Sequence, residues 1–155
     1  MHLHSSELSA SVGYVTLPPP YFSLNWIMTD TLLPITATML VKNSARYLPQ
    51  VLDALHIFDE VLLLDNGSTD DTLAIAARYP NVSIHHHEFI GFGAMKNLAA
   101  SLAKHDWIFS IDSDEILTPE LQHSLQTADL SRPQYIYTLS RLNHYRGRLI
   151  QACGW

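Results

Sequence analysis

The sequence is poor in several things, and each shortage excludes something. It has a single cysteine, Cys153, so no disulfide can close within the chain and no cysteine pair can hold a structural zinc. That usage fits a reducing, cytoplasmic compartment. Basic residues are few: 9 Lys and Arg stand against 15 Asp and Glu, for a net charge of −6. Without a basic run, broad binding to nucleic acid or to an anionic membrane surface is disfavoured. A small anionic ligand is still open to it, because one cation or a few backbone N–H groups can reverse the charge locally. No apolar run reaches the roughly 20 residues of a membrane span. Residues 1–27 lack most of all: Glu7 is their only formal charge, and Pro18-Pro19-Pro20 blocks helix and central strand. They show neither periodicity nor the basic start and apolar middle of a signal peptide. Residues 1–33 therefore read as an irregular leader, with Met28 the expected initiator.

What the sequence does have is pattern. Hydrophobic residues make up 47% and charged ones 15%, the balance of a globular chain with one domain, or part of a larger one. From Ile35 onward, strand-like and helix-like segments alternate. Strands are expected at Ile35–Val41, Glu60–Leu64, Val82–His86 and Trp107–Ile111. Helices are expected at 48–56, with Pro49 in the first turn, at 71–79 behind Ser68 or Thr69 as N-cap, and at 94–103. A short helix should open at Thr118-Pro119-Glu120, and a further strand should run over 135–142, before a turn near Arg146-Gly147. Strand–helix alternation means βαβ units, hence an α/β fold with a mostly parallel sheet flanked by helices. In such sheets ligands bind beyond the carboxyl ends of the strands.

Polar residues collect in those very loops. Asp112 and Asp114 follow the fourth strand in the stretch WIFSIDSDE. At strand spacing they would share a side about 6.5–7 Å apart, repelling by roughly 2–3 kcal/mol at an effective dielectric near 20. A divalent cation reverses that sign, and hard carboxylate oxygens suit Mg²⁺ or Mn²⁺. The bland alternative is an acidic turn that caps the next helix. After the second strand comes DNGSTD, where Asn66-Gly67 makes a turn and Asp65, one residue earlier, can accept a uracil imide N–H or a ribose hydroxyl. The segment GFGAMKN places Lys96 near a helix start behind two glycines, a setting in which it can meet a diphosphate. It fails as a dinucleotide fingerprint, since the third glycine is missing. His85-His86-His87 alternate faces on a strand and have no cysteine or HExxH partner, so they read as strand end and loop. Trp26, Trp107 and the tyrosines read as packing.

In order and spacing, Lys42-Asn43, Asp65-Asn66-Gly67-Ser68-Thr69-Asp70, Lys96-Asn97 and Asp112-Ser113-Asp114-Glu115 resemble the family 2 glycosyltransferases of the GT-A (Rossmann-like) fold, over about Pro34 to Glu120. GFGAMKN, DSDEIL and NHYRGRLIQACGW are similar to the subgroup that glucosylates the lipopolysaccharide core.

The resemblance implies inverting, metal-dependent transfer of a hexose, glucose first among them, from a UDP-sugar to a saccharide or lipid-linked saccharide acceptor. It implies a nucleotide-sugar site of Asn43, Asp65, Gly67, Lys96, Asp112 and Asp114. In it Asp65 contacts the base, and Asp112 and Asp114 hold Mg²⁺ or Mn²⁺. Asn66 stands where a second acidic residue is common. The family's base comes from further downstream, so the expected base lies beyond residue 155, with Glu115 the nearby alternative. Residues 34–155 are thus expected to be the donor-binding portion of a C-terminally truncated GT-A domain, working at the cytoplasmic face of the inner membrane. The competing readings are a non-catalytic nucleotide-sugar-binding fragment and a receiver-type phosphoacceptor domain.

Overall fold

The structure, a computed structural model, describes residues 7–8, 31–132, 134–142, 144–145 and 148–149. In chain order its elements are β1 (Glu7–Leu8), β2 (Leu33–Val41), α1 (Leu48–Ala54), β3 (Phe58–Asp65), α2 (Thr72–Ala76), β4 (Val82–His86), α3 (Phe92–Leu102), β5 (Ile108–Ser110), α4 (Pro119–Gln126), β6 (Thr138–Leu139), β7 (His144–Tyr145) and β8 (Arg148–Leu149). The chain divides into two compact units, Trp26–Pro133 and the two chain ends, Met1–Asn25 with Gln134–Trp155.

The larger unit carries a four-stranded sheet in the order β4-β3-β2-β5, with every pairing parallel. β3 explains why such a sheet forms. Its Val61-Leu62-Leu63-Leu64-Asp65 run is buried on both faces, with no alternation to spare a solvated side. On one face Leu62 and Leu64 pack against Met95 and Ala99 of α3, with Leu40 and Leu98 closing the cluster. Burial of side chains of this size contributes about 1.5–3 kcal/mol each, so α3 is fixed firmly over β2 and β3. Right-handed crossovers put α1 and α2 on the opposite face, where the two helices contact each other. Because β2 and β5 are neighbours, the chain leaves β2 toward one side of the sheet and returns on the other. That reversal opens a crevice at the carboxyl ends of β2 and β5.

The expected α/β class and all four expected strands are present; several boundaries differ. The helix expected at 71–79 is only Thr72–Ala76, and its N-cap is Asp71 rather than Ser68 or Thr69. The reason is competition: Ser68 and Thr69 are hydrogen-bonded to Asn43, and Asp70 Oδ1 accepts from the Thr72 N–H instead. Thr118 does cap α4, its hydroxyl accepting from the Leu121 N–H at 3.3 Å. The strand expected at 135–142 shrinks to Thr138–Leu139. Its partner in the second unit is Glu7–Leu8, in parallel register, so the stretch read as an irregular leader holds a short strand. In that unit β7 and β8 pair antiparallel; the Arg146-Gly147 turn, Trp26, Met28, the three prolines and Cys153 lie outside the described residues.

Candidate active site

Three loops meet at the carboxyl edge, and side-chain hydrogen bonds tie them together. The loop after β2 turns at Asn43, whose φ of 53° is left-handed; Asn tolerates that region better than most residues. Its Oδ1 accepts from the backbone N–H groups of Thr69 (2.7 Å) and Asp70 (3.3 Å), and its own N–H donates to Ser68 Oγ (3.0 Å). Next along, the Ser44 N–H donates to Thr72 Oγ1 (2.8 Å), and the Ser44 hydroxyl donates to Ser113 Oγ (2.9 Å) in the loop after β5. Asn43 and Ser44 thus fasten the loops after β3 and β5 to the end of β2.

Asp65 ends β3 and is only 3% exposed. A buried carboxylate must be answered by donors. Its Oδ2 accepts from the Gly67 N–H (3.1 Å), its Oδ1 from the Ser68 N–H (3.0 Å), and Nδ1 of His86 lies 3.2 Å from Oδ2. Gly67 makes the tight return possible with a φ of 95°, a conformation that side chains with a Cβ resist. Burial pushes the Asp65 carboxyl upward, but the bonds from Ser68, Gly67 and His86 outweigh it and hold the group below its ordinary 3.8. Beside it, Asn66 donates its N–H to the Val41 carbonyl, while its side-chain oxygen is buried without a hydrogen-bond partner among the described residues.

Asp112 and Asp114 do not lie at strand spacing as expected. β5 ends at Ser110, and residues 113–114 form a turn. The turn is closed from both sides: the Glu115 N–H donates to the Asp112 carbonyl (3.1 Å), and the Asp112 N–H donates to Glu115 Oε2 (3.0 Å). Of the three crowded carboxylates, then, Glu115 folds back on the backbone, Asp112 meets Lys96 Nζ at 3.2 Å, and Asp114 is exposed. Lys96 and Asp112 are both nearly half exposed, 41% and 44%, so this pair contributes at most about 1 kcal/mol to stability.

These groups line a cleft of about 660 Å³ whose walls are Lys42, Asn43, Ser44, Arg46, Tyr47, Phe92, Lys96, Asp112, Ser113 and Asp114, over Leu40. The sequence-predicted Asn43, Lys96, Asp112 and Asp114 come together here; Asp65 and Gly67 lie in the adjoining loop and do not line the cleft. Sequence reasoning quoted Lys42 only as part of the Lys42-Asn43 pair and missed Arg46; both are further cations on the wall, and the Arg46 guanidinium stands 4.9 Å over the Tyr47 ring. It also missed the contact of His86 with Asp65. Both omissions were readable in principle, the first from the loop following the first strand, the second from the β3–β4 register that sets Asp65 opposite His86. Trp107 packs as expected, its indole N–H donating to the Leu130 carbonyl at 2.9 Å.

No group of three or more His, Cys, Asp or Glu side chains capable of holding a metal occurs among the described residues. Two carboxylates still fit a cation that completes its shell from a ligand: Mg²⁺ typically takes one or two carboxylates, with waters and substrate phosphates supplying the rest.

Comparison with known proteins places this arrangement in a class. Residues 36–148 match the family described as Glycosyl transferase family 2, and the chain belongs to that family. A glycosyltransferase of Rickettsia felis, described as uncharacterized, is 36% identical over 104 residues, covering 66% of this chain and 36% of its own. The lipopolysaccharide core biosynthesis glycosyltransferase LpsC of Rhizobium meliloti is 29% identical over 97 residues, covering 60% of this chain and 36% of its own. Among solved structures, TarS 1-349 of S. aureus superposes with a TM-score of 0.53 at 26% identity, covering 59% of this chain and 31% of that one. The chain therefore spans a little over a third of the length of these curated relatives. The fold is the α/β fold of these transferases, and the receiver-domain reading falls with the family assignment.

Proposed function

We propose that this chain carries the donor half of a family 2 glycosyltransferase, binding a nucleoside diphosphate sugar, UDP-hexose first, across the carboxyl edge of its sheet. The observation that carries the reading is the cleft at the β2–β5 reversal, where Lys42, Arg46 and Lys96 face Asp112 and Asp114. Cations and carboxylates lining one cleft suit a ligand that is itself anionic and brings a metal with it.

In this reading Asp112 and Asp114 are the residues that would hold Mg²⁺ or Mn²⁺, which when bound would supply a Lewis acid for the diphosphate leaving group. Lys96, held 3.2 Å from Asp112, contributes a second positive charge beside the same oxygens. Asn43 and Gly67 serve the site by shaping its loops. Asp65 organises the loop at the nucleoside end, its carboxylate holding the Gly67 and Ser68 N–H groups. Glu115 is bound to the Asp112 N–H and acts as a turn closure rather than as a base. The likeness to LpsC favours a saccharide acceptor of the lipopolysaccharide core; inverting transfer at the cytoplasmic face of the inner membrane belongs to the same proposal. No helix among the described residues is long and apolar enough to cross a membrane. A second reading, donor binding without turnover, keeps the same site.

Calorimetric titration of UDP in Mn²⁺ and then in excess chelator tests the proposal. Binding that requires the metal is expected, whereas equal affinity in both conditions would remove the metal from the site.

A further inference from the structure

Phe89, Ile90 and Phe92 are all exposed in the short stretch that joins β4 to α3. Single apolar side chains are ordinary on a protein surface, but large ones gathered like this point to a contact. Phe92, the first residue of α3, is 72% exposed.

The ring is nevertheless held in place. Phe89 meets it edge to face, with centroids 5.0 Å apart and an interplanar angle of 75°, a favoured arrangement for an aromatic pair. Gly91, at a φ of 100°, turns the chain into the helix, and its carbonyl accepts from the Met95 N–H at 2.9 Å. Met95 and Ala99 in turn are buried against Leu62 and Leu64 of β3. An exposed ring on so firm a base loses little freedom when a ligand covers it.

Its surroundings define that ligand. Phe92 and Lys96 are one turn apart, so they share a face of α3, and both line the cleft. Apart from Leu40, Tyr47 and Phe92, the cleft walls are polar or charged, which does not suit an acyl chain. The Tyr47 ring already has the Arg46 guanidinium over it, whereas the Phe92 ring is largely uncovered. A pyranose answers both features: hydroxyls along its edge meet the polar walls, and C–H groups on its face meet the electron-rich face of an aromatic ring. A nucleobase also has a flat face and a polar edge. Asp65 and Gly67, however, belong to the loop at the proposed nucleoside end, and they do not line the cleft. The part of a donor that fits the cleft is therefore its diphosphate, beside Lys96 and Asp112, and the sugar that the diphosphate carries.

Resting on the donor-site reading above, we propose that Phe92 is the platform on which the transferred hexose lies, its C–H face against the ring about one helical turn, roughly 5.4 Å, from the diphosphate. Phe89 is then a positioning residue that braces the platform. The contact is made to the sugar and not to the nucleotide, so it bears on which donors are accepted.

The test compares UDP with UDP-glucose and UDP-galactose in Mn²⁺, titrated by calorimetry into the wild-type chain and into Phe92→Ala, Phe92→Leu and Phe92→Trp. Because the side chain is exposed, all four proteins should unfold at the same temperature. In Phe92→Ala the affinity of the better-bound UDP-sugar relative to UDP should fall about fivefold, while UDP itself stays within about twofold. Phe92→Leu, apolar but without a ring, should lose nearly as much, and Phe92→Trp should keep the wild-type ratio. Phe89→Ala should lower the ratio by about twofold. Three results would overturn the inference: an unchanged ratio in Phe92→Ala, equal losses for UDP and the UDP-sugars, or a Phe92→Leu that keeps the full ratio. In each of these the donor site survives as long as UDP binding still needs metal; a wild type that binds neither UDP nor a UDP-sugar removes both proposals.

Discussion

Both edges of the parallel sheet gather carboxylates, and they treat them in opposite ways. At the amino edge Asp59 and Glu60 are answered from within the chain. Asp59 takes Lys104 Nζ at 2.6 Å and His105 Nε2 at 2.7 Å. Glu60 accepts from the Lys104 N–H (2.7 Å), the Thr36 hydroxyl (2.8 Å) and the Ser83 hydroxyl (3.0 Å), and the His105 N–H closes the ring onto Thr36 Oγ1 (3.1 Å). At the carboxyl edge Asp65 is closed in the same way, but the carboxylates at the cleft stay open. Asp112 shares a half-exposed lysine, Asp114 makes no hydrogen bond or ion pair among the described residues, and three cationic side chains border the cleft. A closed polar network fastens the segment after α3 to the sheet; an incomplete one leaves room for a ligand of matching charge.

Substitutions at the two edges should therefore separate stability from binding. The largest stability effect is expected at the closed edge. Glu60→Ala leaves the Lys104 N–H and two hydroxyls without their acceptor, at a cost of about 2 kcal/mol, and urea unfolding should record it with UDP affinity unchanged. The same edge governs acid sensitivity. Asp59 is held below its ordinary 3.8 by its bonds from Lys104 and His105. For Glu60, burial opposes the shift, but the bonds from Lys104, Thr36 and Ser83 outweigh it and keep the group below 4.5. Depressed carboxyls lend stability that is complete above their unfolded values and lost as pH falls through the folded ones. Unfolding followed downward from about pH 5 should therefore show falling stability in the wild type and a flatter limb in Glu60→Gln.

Lys96→Met should invert the pattern: UDP affinity falls about tenfold, one charge-assisted contact, while unfolding free energy moves by no more than about 0.5 kcal/mol. Asn43→Ala probes the boundary between the two behaviours. It removes the acceptor that joins two loops, so stability should drop by about 1 kcal/mol and UDP affinity by a smaller, roughly threefold factor. A change in only one of these readouts would show that the loops are not shared between architecture and site.

The contrast also explains what the sequence made legible. Apolar runs such as EVLLL and the helical spacing of Met95 and Ala99 fix the sheet and α3, because burial dictates them residue by residue. Asp65, Lys96, Asp112 and Asp114 could be singled out because they interrupt that pattern at strand ends. The closed edge was invisible for the opposite reason. Thr36, Glu60, Ser83 and His105 lie far apart in the chain, and only the strand order brings them together. Local chemistry likewise misplaced the start of α2, where Ser68 and Thr69 look like caps but are held by Asn43 across 25 and 26 residues. The role of Glu115, one more acid by sequence, depends on a turn that strand spacing does not foresee.

The central claim is that Asp112 and Asp114 are the metal-holding pair of a nucleotide site. The most direct test is calorimetric titration of UDP with Mn²⁺ into the Asp112→Asn/Asp114→Asn double variant, beside the wild type and after thermal unfolding shows both equally folded. A loss of at least about a hundredfold in metal-dependent affinity is predicted. Affinity equal to the wild type's, with the same dependence on Mn²⁺, would contradict the account.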